Sequence, residues 1–217
     1  MPAESRRRPP IDCDRCPRLA AYRAENRAAR PAWHNAPVPS FGDPAARLLV
    51  VGLAPGRRGA NRTGRPFTGD DAGDVLYAAL GRHGFARGTY RASPDDGFTL
   101  VDCRVTNAVR CAPPQNKPTG GEIGACRPFL YDELRRGEPP HVVLCLGRIA
   151  HDATLRALDL RLRDHPFAHG GVRRPAGGPT LVASYHTSRY NMNTGRLTDS
   201  MFDAVVGHVR ALLAGSA

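Results

Sequence analysis

Lysine is nearly absent from this chain of 217 residues. Lys117 is the only one, although Lys and Arg together number 31 against 20 Asp and Glu, a formal charge of +11. Chemistry that needs an amine nucleophile, such as imine formation, therefore has one candidate, and it sits in a proline-rich loop. Tryptophan is as scarce, with Trp33 alone. Long apolar runs are missing too: none approaches the ~20 residues that span a bilayer. No apolar segment of the secretory type follows the basic first ten residues, so a cytoplasmic location is expected. In a reducing compartment, six cysteines point to metal ligation or core packing rather than disulfides.

What is present is arginine. A balance this basic suits partners that carry phosphates. Residues 1–11, with three successive arginines and several prolines, read as a disordered basic tail. Residues 12–217 read as a single domain without an internal repeat.

The stretch from Leu48 to Leu80 organises the rest. Leu48-Leu49-Val50-Val51 reads as a buried strand. It ends at Gly52-Leu53-Ala54-Pro55-Gly56, where small residues and proline break the pattern. A glycine-rich loop follows, and Asp74 reads as the N-cap of a helix through Val75, Leu76, Ala79 and Leu80. Further strands are expected over Thr99–Val105, His141–Gly147 and Thr180–Tyr185. Helices are expected at about 17–29, 121–134, 149–160 and 198–213, the last capped by Thr198. Alternating strands and helices imply an α/β fold, a three-layer sandwich around a four-stranded parallel sheet. Parallel strands present their carboxyl ends at one edge, where ligands bind. The polar loops after strands one, two and four would meet there.

Two sets of residues carry chemistry. In the first loop, Phe67 offers a face for a flat ligand, and Asp70 offers a carboxylate to position water. The competing reading is a solvated loop with an aspartate capping a helix. Among the cysteines, Cys13 and Cys16 form a C-x2-C pair, and Cys111 and Cys126 also lie outside the expected strands. Four thiolates hold either zinc or an iron–sulfur cluster, and spacing does not choose between them. Cys103 and Cys145 fall inside expected strands, as small core residues do.

Five segments carry a resemblance: CDRC at 13–16, GLAPGRRGANRTGRPFTGDDAG at 52–73, TNAVRCAPPQNKPT at 106–119, CRPF at 126–129 and HTSRYNMNTGRLT at 186–198. In this order they resemble the uracil-DNA glycosylase superfamily, most closely its family 5 (B-type) enzymes, from Cys13 to about Leu213. The resemblance implies a [4Fe–4S] cluster on Cys13, Cys16, Cys111 and Cys126. It also implies a monofunctional DNA glycosylase that flips a damaged base out of DNA and hydrolyses its N-glycosidic bond. Uracil, hypoxanthine and ethenocytosine are the implied substrates. Gly52, Leu53, Ala54 and Gly56 would line the pocket floor, Phe67 would stack on the base, and Asn107 would read it through its amide. His186 would donate to the departing base. Ser188, Arg189, Tyr190 and Asn191 would contact DNA, with Tyr190 to Met192 as a wedge.

Two departures stand out. The familiar His-Pro-Ser is His186-Thr187-Ser188 here, for which a small change in loop stiffness is expected. The first motif, GLAPG, has no polar side chain, so water activation falls to Asp70, with Asp71 as an adjacent substitute. The lone Lys117 disfavours a lyase. A non-catalytic iron–sulfur DNA-binding module is the alternative, and covalent capture of DNA by histidine is a third reading. A monomer is the default expectation.

Overall fold

The computed structural model describes residues 8–135 and 137–215. Residues 1–7 of the expected basic tail, Arg136 and residues 216–217 lie outside the described residues. Helix α1 spans Pro17–Ala29, with proline in its first turn. Strand β1 (Phe41–Gly42) and strand β2 (Leu48–Gly52) follow, then a one-turn helix α2 (Ala60–Thr63) and helix α3 (Asp71–Arg82). A small hairpin of β3 (Ala86–Arg87) and β4 (Thr99–Leu100) precedes β5 (Cys103–Asn107) and helix α4 (Gly120–Arg135). Strand β6 (Val142–Leu146), helix α5 (Arg148–Ala157), strand β7 (Val172–Arg173) and strand β8 (Thr180–Ser184) come next. The short helix α6 (Arg189–Asn193) and helix α7 (Asp199–Ala214) complete the order.

The sheet runs β1-β5-β2-β6-β8-β7. Its four central strands are parallel, as expected. The two-residue strands β1 and β7 close its edges antiparallel. Side chains alternate along β2, so each face of the sheet takes half of them. Leu48 and Val50 pack with Leu76, Leu80, Phe202 and Val206 of α3 and α7. Leu49 and Val51 pack with Leu130, Leu134 and Leu155 of α4 and α5. Every residue of β2, β5 and β6 is buried, as strands covered on both faces must be.

Two local expectations are corrected. Helix α3 starts at Asp71, and its N-cap is Asp70, whose carboxylate accepts from the Gly73 N–H; Asp74 lies inside the first turn. The stretch Thr99–Val105 is two strands, not one. At Asp102 the backbone enters the left-handed region (φ 50°), and its carboxylate accepts from Arg47. Thr99 and Leu100 leave the main sheet to pair with β3.

Candidate active site

The carboxyl ends of all four parallel strands open on one cavity of about 430 Å³. Leu53, Ala54 and Gly56 line it after β2, Asn107 ends β5, Leu146 and Gly147 follow from β6, and His186 comes just after β8. Phe67, Asp70 and Asp71 reach it from the loop before α3. Sheet register thus gathers residues 53–56, 107 and 186, and the first loop folds back over them.

Gly52 does not line the cavity, contrary to the expectation for the pocket floor. It pairs with Asn107 across the sheet, and a β-carbon there would overlap the Phe67 ring and come 2.5 Å from Asn107 Oδ1. Its place is behind these two side chains, where only hydrogen fits.

Phe67 is held in the left-handed region (φ 50°), which is costly for an aromatic residue. The surroundings fix it there. Tyr90 donates its hydroxyl to the Phe67 carbonyl at 3.1 Å, and Tyr77 donates to the Pro66 carbonyl at 2.6 Å. Gly73 packs so closely on the Phe67 carbonyl that a side chain is excluded. Arg65 anchors the loop from below. Its guanidinium gives two hydrogen bonds of 2.8 Å to Asp96 and lies among the rings of Phe41, Tyr77, Tyr90 and Phe98. Sequence reading missed this anchor.

The acid–base groups differ sharply in environment. Burial raises the pKa of Asp70, and the N–H groups of Gly73 and Ala72 oppose that rise. Its Oδ2 lies against Gly56 and Gly59, where a β-carbon at Gly56 would sit 3.1 Å away. Asp71 has the opposite balance. It accepts from exposed Arg189 at 2.6 Å, and this bond lowers its pKa. Burial drives the His186 pKa down to about 4, so the imidazole is neutral at physiological pH. Its ring centroid lies 6.0 Å from that of Phe67.

Ser188 and Arg189 reach the cavity mouth, with Ser188 capping α6. Tyr190 and Asn191 are not in the cavity wall. Tyr190 is 71% exposed on α6. The Asn191 amide donates to the His186 carbonyl at 2.8 Å. The loop after β6 also contributes Arg148 and Ile149, and Asn116 reaches in from the proline-rich loop. Only Gly147, in the left-handed region between strand and helix, could have signalled the β6 loop.

Beyond the carboxyl end of β5, Cys111 meets Cys13, Cys16 and Cys126, and all four line one small cavity with Leu19, Val109 and Phe129. All six cysteines are free thiols. Burial pushes the Cys126 thiol up to about 12, and Arg110 opposes this. Arg23 donates to Cys111 Sγ at 3.6 Å. Arg110 is 1% exposed, and its Nε has no partner among the described residues. No three His, Cys, Asp or Glu side chains among the described residues are grouped to hold a single metal ion. Four thiols around one apolar cavity, with cationic donors turned toward them and one donor unsatisfied, do fit a larger anionic cluster. Cys103 and Cys145 are fully buried in the sheet.

No helix among the described residues is long and apolar enough to cross a membrane. A sequence profile described as the uracil DNA glycosylase superfamily matches residues 39–210. A Type-5 uracil-DNA glycosylase of Thermus thermophilus is 48% identical over 92% of this chain and 93% of the relative. One of Pyrobaculum aerophilum is 43% identical over 87% and 83%. A Type-4 uracil-DNA glycosylase of the latter organism is more distant, at 34% over 69% and 63%. With the profile spanning most of the sheet and a relative this similar along nearly its whole length, the chain belongs to the uracil DNA glycosylase superfamily.

Proposed function

We propose that this protein is a monofunctional uracil-DNA glycosylase that hydrolyses the N-glycosidic bond of a flipped base and leaves an abasic site. One observation carries the reading. A single cavity brings together a half-buried carboxylate, an uncharged imidazole, an aromatic face and a primary amide, namely Asp70, His186, Phe67 and Asn107. The flipped base would stack on Phe67, and Asn107 would present donor and acceptor to its edge. As the bond to the sugar lengthens, negative charge grows on the base and positive charge on the sugar. His186 would donate an N–H to the base oxygen without carrying a charge in the ground state. Asp70 would orient the attacking water and stabilise the oxocarbenium-like sugar. Among the described residues the one lysine is Lys117, absent from the cavity wall, so the described residues offer no pocket amine for a lyase step.

The apolar wall of Leu53, Ala54 and Pro55 excludes few ring substituents. This supports hypoxanthine and ethenocytosine as further substrates. The basic balance and the Ser188–Arg189 turn at the cavity mouth support DNA phosphates as the ligand around it. Cys13, Cys16, Cys111 and Cys126 would hold a [4Fe–4S] cluster, which when bound supplies a structural staple between the N-terminal segment and the loop after β5. Residues 12–217 would then act as one unit around the sheet.

The test is release of free base from a duplex oligonucleotide carrying one uracil. Free uracil with intact, adduct-free DNA supports the proposal. Binding without release supports the non-catalytic module, and an adduct that survives denaturation supports covalent capture. Release from duplexes carrying hypoxanthine or ethenocytosine tests the broader specificity.

A further inference from the structure

The His186 imidazole has no hydrogen-bond partner among the described residues that could orient it; burial is what lowers its pKa. Many functional histidines are aimed by a carboxylate or carbonyl on the second ring nitrogen. Here the ring's direction depends on the main chain that carries it, and that main chain is pinned on both sides. On one side, Thr187 is 1% exposed, and its hydroxyl donates to the Ala72 carbonyl at 3.0 Å. On the other, the Asn191 amide donates to the His186 carbonyl at 2.8 Å. Ala72 lies in the first turn of α3, the turn that the Asp70 carboxylate caps by accepting from Gly73 N–H. The first turn of α3 therefore meets both chemically active segments.

We propose that Thr187 and Asn191 are positioning residues that fix His186 relative to Asp70, with the Thr187 hydroxyl as the link between the two loops. The inference rests on the glycosylase reading for its kinetic consequence, not for its geometry. A proline at this position would stiffen the loop through its ring but could donate nothing to Ala72. Threonine replaces intrinsic stiffness with a tether to the helix that bears the carboxylate. A small displacement of a group that must meet developing charge is costly in rate, whereas the phosphate contacts proposed above lie at Ser188 and Arg189.

The experiment compares Thr187→Val, Thr187→Ser and Asn191→Ala in the full-length protein. Valine keeps the shape and removes the hydroxyl, and serine restores it. Three quantities are measured: single-turnover excision of uracil, affinity for the uracil duplex, and the NMR signals of the His186 ring. Thr187→Val and Asn191→Ala are expected to slow excision by ~10-fold to 10²-fold with affinity within ~2-fold, while Thr187→Ser stays within ~3-fold of wild type. The ring signals should move in Thr187→Val and stay in place in Thr187→Ser. Wild-type excision by Thr187→Val overturns the proposal, as does an equal loss in the valine and serine variants, which would report packing rather than the hydroxyl. A loss of affinity at unchanged rate also overturns it. If wild type itself releases no uracil, the glycosylase reading fails and the ring spectra decide: unmoved His186 signals in Thr187→Val remove the tether.

Discussion

Replacing Asp70 with asparagine separates the two jobs that this side chain holds. Asp70 caps α3 by accepting from Gly73 N–H at 3.3 Å, and it faces the cavity. Asparagine caps helices about as well as aspartate, so the fold should change by no more than about 0.5 kcal/mol. The amide also fits where the carboxylate lies against Gly56 and Gly59, because the two groups have nearly the same shape. It cannot take a proton from water, and it offers no negative charge to an oxocarbenium-like sugar. Loss of a positioned base costs ~10²-fold to 10⁴-fold, or ~3–5 kcal/mol of barrier at ~1.4 kcal/mol per decade. The assay is single-turnover release of uracil, run beside a thermal melt of the same preparation. The expected result is a rate lower by at least ~10²-fold with an unchanged melting temperature. Excision at the wild-type rate would refute the role of Asp70. A rate and a melting temperature that fall together would show that the helix cap, not the chemistry, had been damaged. Because burial raises the Asp70 pKa, the acid limb of the rate profile should lie higher than that of an exposed aspartate and vanish in the asparagine variant.

Other outcomes follow from the same geometry. Gly52→Ala would press a β-carbon into the Phe67 ring and Asn107, so excision should fall ~10-fold or more, with ~1–3 kcal/mol of stability lost in a denaturant titration. Wild-type excision would show that the ring and amide can move aside. The His186 pKa of about 4, against 6.5 when unfolded, means that the unfolded chain binds the extra proton between these values. Stability from this group is complete above pH 6.5 and is lost as pH falls toward 4, on the order of 3 kcal/mol in total. His186→Gln should flatten that part of a stability–pH curve, and an unchanged curve would contradict the burial of the ring. Cys16→Ala should remove bound iron and lower the melting temperature by roughly 5 °C or more. An unchanged melt would deny the cluster a structural role.

The sheet was legible in the sequence because its strands are short apolar runs set between helical periods. The first was visible at Leu48–Val51 and the third around Val142–Leu146. The start of α3 was not. Asp70, Asp71 and Asp74 all suit a helix N-terminus, and the choice depends on Gly56 and Gly59, which leave room for the Asp70 carboxylate. Such a choice is made in space. The same holds for Arg65 and Asp96, 31 residues apart and joined only once the hairpin folds over the loop. The second strand was overextended because Asp102 carries no local sign of its left-handed backbone. Asn191 looked like a surface contact in a polar loop, and its bond to the His186 carbonyl needs the turn of α6 to exist. The loop after β6 was passed over because Gly147-Arg148-Ile149 has no acid–base group.

The electrostatic arrangement of the cavity follows from where the fold puts its backbone donors. A carboxylate at a helix N-terminus meets two backbone N–H groups, which favour the ionised form even as burial opposes it. His186, just past the end of β8, has burial and no compensating partner among the described residues, so it sheds its proton. Under the proposed chemistry, the pocket would present a potential anion where the sugar becomes positive and a neutral donor where the base becomes negative. Exchanging the two environments would be unproductive: a protonated carboxyl cannot stabilise the sugar, and an imidazolium would attract the Asp70 carboxylate before any substrate arrived. The glycines at 56 and 59 and the helix cap at 70 would thus select the charge pattern that the proposed reaction requires, before DNA is bound.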